Sequence, residues 1–263
     1  MRKERLDKLM VDRRLAPSRE RAQALIMAGK VRVAGMPAPK AGTRVAADAD
    51  VTVTGMDHPY VSRGGVKLEA ALRAFALDPA GLTALDIGAS TGGFTHCLLL
   101  HGAAHVIAVD VGYGQLAWEL REDARVTVLE RTNIRHLAPE ALPRPVDLVV
   151  VDVSFISLRT VLAEACRFIR PGGRVLALIK PQFEAGREQV RRGGRVTDEA
   201  VHAQVLDAVR EAATGLGLAE LAHMASPIVG KKSGNREFLM LWRREAASAP
   251  APAVPPAAEQ GPS

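Results

Sequence analysis

The sequence predicts an α/β protein: a mostly parallel β-sheet with helices on both faces, preceded by a small α+β domain. Three observations predict it. Between residues 63 and 243 short apolar runs alternate with helical patterns, as in strand–helix–strand units whose sheet is covered on both sides. Several of those runs end in a charged residue, which an apolar strand tolerates only where the charge is used or paired. The charge is also lopsided. Residues 1–55 carry twelve Lys or Arg against six Asp or Glu, the whole net charge of +6, and the remainder balances at 23 against 23. A polyanion-binding module in front of a neutral body fits that asymmetry; a solvated charged face is the plain alternative.

Composition divides the 263 residues into a basic segment 1–55, a linker 56–62, a main domain 63–244 and a Pro/Ala-rich tail 245–263. The tail can bury little surface and is expected to be disordered. Hydrophobic residues make up 48% of the chain, enough for a packed core. No stretch approaches the roughly 18–20 apolar residues of a membrane span, and no apolar run follows Met1-Arg2-Lys3-Glu4-Arg5. Cys97 and Cys166 stand far apart without a metal-ligand spacing. A cytoplasmic protein with reduced thiols, no metal and no membrane contact is expected.

In the basic segment Ser18 has the place of a helix N-cap before Arg19-Glu20-Arg21-Ala22-Gln23-Ala24-Leu25-Ile26-Met27, with Arg21 where a capping box has an acid. Gly29 sits where the helix should close. Val31-Arg32-Val33 alternates like a strand, and Val45 and Val51-Thr52-Val53 suggest further short ones. In the main domain strands are expected at 82–87, 104–110, 126–129, 146–152, 174–180, 219–226 and 238–242. The clearest helix is 198–216, where Val201, Val205, Val209 and Ala212 recur at helical spacing and Thr197 is a plausible cap.

The strongest motif is Leu85-Asp86-Ile87-Gly88-Ala89-Ser90-Thr91-Gly92-Gly93-Phe94-Thr95, a small-residue turn from strand to helix. Such a turn lets backbone approach a ligand and presents unpaired N–H groups. It is not a dinucleotide fingerprint: Ser90 replaces the second glycine and Gly92-Gly93 come early. Asp86 would repel a pyrophosphate but suits the positively charged amino and sulfonium groups of S-adenosylmethionine. Asp110 ends the next strand, where an acid accepts from both ribose hydroxyls of an adenosine cofactor. Val111 follows it, and Asn133 is placed to contact the adenine edge. The candidate cofactor residues are Asp86, Gly88, Ala89, Ser90, Gly92, Gly93, Phe94, Asp110, Val111, Asn133 and Asp152.

Four further residues sit where a fold of this kind places chemistry. Asp152 ends Val149-Val150-Val151, Lys180 ends Leu176-Ala177-Leu178-Ile179, Lys67 opens the helix after the linker, and Glu237 starts the last strand. Ligands of open α/β sheets bind outside the carboxyl ends of strands, so Asp152 and Lys180 should face one crevice. Arg187, Arg191 and Arg192, with Arg195, surround Gly193-Gly194 beside that crevice and are candidates for phosphate contact. Phe155 and Phe183 flank it, and either core packing or stacking on a splayed base accounts for them.

Two resemblances sharpen these expectations. Arg5-Leu6-Asp7, Ser18-Arg19, Ala22, Ile26, Gly29-Lys30-Val31 and Val33 resemble the small RNA-binding S-four domain. That implies RNA contacts from Arg5, Arg13, Arg14, Ser18, Arg19, Lys30 and Arg32. The order Lys67, Asp152, Lys180, Glu237 around the glycine turn resembles the tetrad of FtsJ-type ribose 2′-O-methyltransferases, on a Rossmann-like class I methyltransferase sheet. Together with Tyr60-Val61-Ser62-Arg63-Gly64-Gly65-Val66-Lys67-Leu68, Asp152-Val153-Ser154-Phe155-Ile156-Ser157-Leu158, Ile179-Lys180-Pro181-Gln182-Phe183-Glu184 and Gly234-Asn235-Arg236-Glu237, the chain is similar to the TlyA family over residues 4–243. That family methylates ribosomal RNA and also carries the label haemolysin. The resemblance implies S-adenosylmethionine as cofactor, ribosomal RNA within subunits as partner, cytidine as the modified nucleoside, and Lys180 deprotonating or orienting the ribose hydroxyl. A non-catalytic RNA-binding assembly factor is the rival reading, and a membrane-lytic protein a weaker one.

Overall fold

The structure, a computed structural model, describes residues 3–13, 15–16, 18–53, 58–142, 145–230 and 234–245. The tail expected to be disordered lies almost wholly outside the described residues, as does Arg14.

The basic segment folds around its own core. Strand β1 (Lys3–Arg5) runs straight into α1 (Leu6–Asp12), followed by α2 (Arg19–Met27), β2 (Val31–Val33), β3 (Met36–Pro37), β4 (Arg44–Ala46) and β5 (Val51–Val53). β1 pairs with β4, and β3-β2-β5 form a three-stranded antiparallel sheet. Leu6, Met10, Ala22 and Val31 are fully buried between helices and strands. Ser18 caps α2 as expected, its Oγ accepting from Arg21 N at 3.2 Å. Gly29, with φ +67°, makes the left-handed exit that a side chain resists.

The second body begins at Tyr60, which is only 2% exposed and packs in its core although its sequence neighbours read as linker. Its elements are α3 (Arg63–Ala74), β6 (Thr83–Ile87), α4 (Gly93–Leu100), β7 (His105–Val109), α5 (Trp118–Arg121), β8 (Val126–Leu129), β9 (Val146–Val151), α6 (Leu158–Phe168), β10 (Ile169–Ile179), α7 (Pro181–Glu184), α8 (Glu199–Gly215), β11 (Leu218–Ala225) and β12 (Phe238–Arg244). The seven strands line up as β11-β12-β10-β9-β6-β7-β8. β8 to β10 form a parallel run, and β12 enters antiparallel between β10 and β11.

Both faces are covered, so the central strands are apolar on both sides. Leu85, Val149 and Val151 face a cluster with α6 and α8. Ala84, Leu148 and Val150 face one with α3 and α4. Three local expectations need correcting. Asp198, not Thr197, caps α8, because its carboxylate accepts from Ala200 N at 2.9 Å. Ala213, not Ala212, is the buried alanine of that helix, continuing the four-residue step from Val201, Val205 and Val209. β10 also starts at Ile169, five residues before the expected strand, across a register shift between Ile169 and Arg174.

Candidate active site

The sheet changes direction between β6 and β9: β7 lies beyond one and β10 beyond the other. A crevice at such a switch point is where ligands of open α/β sheets bind. The glycine turn after β6 lies there. Gly88 has φ +87°, and a Cβ on it would stand 2.6 Å from the carbonyl oxygen of Asp152, so the two strand ends touch backbone to backbone. Ser90 is also left-handed, at φ +49°. Asp110 holds it: Oδ2 accepts from Ser90 N at 2.8 Å and Oδ1 from Gly112 N at 2.7 Å. Each carboxylate oxygen keeps a second acceptor site for a ligand donor.

Two cavities meet at this turn. The larger, about 660 Å³, is lined by Asp110, Val111, Asn133 and Ile134 and, further in, by Gly88, Ser90, Asp152 and Ser154. The smaller, about 180 Å³, shares those last four residues and adds Ala89, Gly93, Phe94, Lys67 and Lys180. Asn133 also caps the short 3₁₀ turn after β8, Oδ1 accepting from Arg135 N at 3.1 Å. Gly92, at φ +94°, lines neither cavity; it begins α4 beneath Leu116 and Leu120.

Asp86 lines neither cavity as well. It is fully buried, with Oδ2 accepting from Thr95 Oγ1 at 2.6 Å and Oδ1 without a partner. Burial above all lifts its carboxyl to about 7, with Asp152 and Asp110 adding to the rise and Thr95 opposing it. A buried orphan acceptor calls for a donor. Between about pH 4 and 7 the folded chain keeps a proton that the unfolded chain has released, so stability should fall as pH rises through that window. Asp86→Asn keeps the size and removes the titration. Denaturant unfolding of ligand-free protein at pH 5 and 7.5 should show a smaller loss in the variant; an equal loss in both would contradict this.

The four polar residues form two ion pairs. Lys180 Nζ lies 2.6 Å from Asp152 Oδ1 and donates to Val153 O and Ser154 Oγ, both at 2.9 Å. The contact with Asp152 is close but off hydrogen-bonding angles. Lys67, in the second turn of α3, is buried against Glu237, which stands just before β12. Lys67, Asp152 and Lys180 line the small cavity together, whereas Glu237, 3% exposed, stands behind Lys67. Phe155 is 88% exposed with φ +67°, which excludes core packing for it.

In the basic domain, Arg5 and Arg19 converge on buried Asp7, whose Oδ2 also accepts from Gln23 at 3.0 Å. The Arg5 guanidinium holds that carboxyl well below the usual range. Arg13 bonds the carbonyls of Ala47 and Ala49, and Arg32 that of Gly35. Lys30 lines a groove with Arg21, Arg63 and Lys67 that runs from α2 toward the small cavity. Arg191 and Arg195 pair as a β-bridge that closes the Gly193-Gly194 turn. Buried Asn235 holds this turn, accepting from Val196 N at 3.0 Å and donating to Gly194 O at 2.7 Å. Sequence reasoning assigned nothing to Asp7, Thr95, Ser154 or Asn235. Thr95 had a readable signal, a lone hydroxyl early in the mostly apolar α4; Ser154 and Asn235 act through partners remote in sequence, as Asp7 does toward Arg19 and Gln23. Among the described residues, no three His, Cys, Asp or Glu are grouped to hold a metal, and no helix is long and apolar enough to cross a membrane.

Family models match both bodies: an S4 domain over residues 4–51 and an FtsJ-like methyltransferase over residues 60–244. The 16S/23S rRNA (cytidine-2′-O)-methyltransferase TlyA of Mycobacterium tuberculosis is 52% identical over 244 residues, 92% of this chain and 90% of that protein. The chain belongs to the TlyA family. YqxC of Bacillus subtilis is 47% identical, covering 90% of this chain and 85% of its own length. A solved hemolysin structure from Streptococcus thermophilus shares 41% identity at a TM-score of 0.72, across 93% of this chain and 90% of that one.

Proposed function

We propose that this member of the TlyA family transfers the methyl group of S-adenosylmethionine to a ribose 2′-hydroxyl of ribosomal RNA, with cytidine as the modified nucleoside. The observation that carries the reading is the junction of the two cavities, where the glycine turn, Asp110, Asp152, Ser154 and Lys180 converge. The donor set fits the cofactor. Asp110 and Asn133 suit its adenosine half in the larger cavity, where Asp110 keeps free acceptor sites on both carboxylate oxygens. When bound, the cofactor supplies an electrophilic methyl group. The protein positions the ribose hydroxyl and handles its proton. Lys180, already donating to Ser154 Oγ and Val153 O, would exchange one of those acceptors for the hydroxyl. Lys67 and Glu237 back this arrangement as a buried pair.

The basic domain delivers the RNA, with Arg5, Ser18, Arg19, Lys30 and Arg32 on its surface, and Arg187, Arg191 and Arg192, on the segment that follows α7, add phosphate contacts. Arg13, and Arg14 outside the described residues, complete the proposed set. Phe155 offers an aromatic face to a splayed base. The ribosomal subunits and a cytoplasmic setting follow from the substrate. Small and large ribosomal subunits lacking the modification, incubated with methyl-labelled cofactor, should take label into their RNA. Cofactor binding without label in either subunit would favour the non-catalytic assembly factor.

A further inference from the structure

Glu184 closes the motif Ile179-Lys180-Pro181-Gln182-Phe183-Glu184, and the reaction as proposed gives it no part. It stands at the end of α7, on the segment that follows β10, and reaches across to the segment that follows β9. β9 and β10 are parallel neighbours, with Val151 opposite Ala177, so the two segments leave the sheet side by side. At the near end Lys180 holds Val153 O and Ser154 Oγ. At the far end Glu184 holds residues 157 and 158: Oε2 accepts from Ser157 Oγ at 2.7 Å and Oε1 from Leu158 N at 2.6 Å. The Glu184 side chain is 4% exposed, with Arg159 3.8 Å away.

The hydrogen bonds explain the choice of a carboxylate. α6 begins at Leu158, and Ser157 at its N-cap provides no side-chain cap of its own. The first amide of the helix therefore needs an acceptor from elsewhere, and so does the serine hydroxyl. One carboxylate meets both donors. Burial pushes this carboxyl up, while the Leu158 amide and Ser157 hydroxyl pull it down.

Between the two anchors lies Phe155, exposed and left-handed, its ring 5.1 Å from that of Phe183. A non-glycine residue with φ +67° persists only where its surroundings hold it. We infer that Glu184 is a positioning residue: by pinning Ser157 and Leu158 it holds the 152–157 loop so that Val153 O, Ser154 and Phe155 keep their places around Lys180. This rests on the reading of Lys180 and its loop as the reaction site.

The test uses the full chain with wild type, Glu184→Ala, Glu184→Gln and Ser157→Ala. Misplacement of reacting groups by about 1 Å costs on the order of 10²-fold, so Glu184→Ala should lose about 10- to 100-fold in single-turnover methyl transfer at saturating subunits. Calorimetric affinity for S-adenosylmethionine should fall less than the rate, because Asp110, Asn133 and the glycine turn also line the cofactor cavity and do not touch Glu184, whereas only the part of its lining from residues 152–156 depends on the tether. Glu184→Gln keeps an oxygen for the Leu158 amide and should recover most of the rate. Ser157→Ala removes one of the two tethers and should show a smaller loss of the same kind, which keeps the test alive should Glu184→Ala not fold. The pH profile of the single-turnover rate should change shape in Glu184→Ala and keep its shape in Glu184→Gln. Wild-type rate and profile in Glu184→Ala, with only the melting temperature lowered, would reduce Glu184 to a helix cap and overturn the inference. Absence of transfer by the wild type would instead strike the proposed function.

Discussion

Lys180→Met should leave the fold, RNA binding and cofactor binding in place while methyl transfer falls by about 10²–10⁴-fold, the range for removing a group that handles a proton. Methionine keeps an apolar stem of similar length after a buried strand. It removes the amine that touches Asp152, Val153 O and Ser154 Oγ. Two of the three ammonium donors go to Val153 O and Ser154 Oγ, and the Asp152 carboxylate lies beside the charge, an arrangement that suits orientation of the hydroxyl by a cation. Lys180→Arg should rescue little, because a guanidinium is flat and cannot place one donor against Ser154 and the ribose alike. An orienting cation predicts a single-turnover rate that is lost at high pH; a true base predicts a rate that rises until the amine is neutral. Near-normal single-turnover transfer by folded, ligand-binding Lys180→Met would remove Lys180 from the mechanism.

The second large effect is on stability. Glu237→Ala leaves the Lys67 ammonium buried without its carboxylate, and breaking a buried pair from one side costs about 3–5 kcal/mol. Chemical denaturation should show it. Replacing both partners by apolar residues, Lys67→Met with Glu237→Leu, should recover much of that loss, since no buried charge is then orphaned. The double variant separates two roles. If Lys67 acts at the cavity it lines, transfer stays low although stability returns. Recovery of transfer along with stability would make the pair purely structural.

The parallel strands were legible because apolar runs such as Val149-Val150-Val151 are bounded by a charged residue and by small-residue turns. Asp110, Asp152 and Lys180 were found by that rule, each one residue past its strand in the structure. The insertion of β12 between β10 and β11 was not legible, because pairing order leaves no trace in local periodicity. α1 escaped for a related reason: it has seven residues, follows β1 without a break and has no side-chain cap. Asp86 was read as a ligand to a cation, yet the structure buries it behind the turn; sequence shows that a carboxylate ends a strand region, not how far it lies from solvent. Asp7, Asn235 and Glu184 are acceptors or clamps whose partners come from other segments, and only the fold brings those together. The basic charge of residues 1–55 marked a polyanion-binding surface but not that Arg5 and Arg19 share Asp7 or that Arg13 and Arg32 bond backbone carbonyls.

Nucleoside mapping tests the central claim most directly. Ribosomal RNA from unmodified subunits treated with the protein and S-adenosylmethionine is digested to nucleosides, and the methylated product is identified by mass spectrometry and its position by resistance of the adjoining phosphodiester to alkali. A ribose 2′-O-methyl group on cytidine, formed by wild type and strongly reduced with Lys180→Met, is the predicted result. A methyl group on a base, or an alkali-sensitive site, would contradict it.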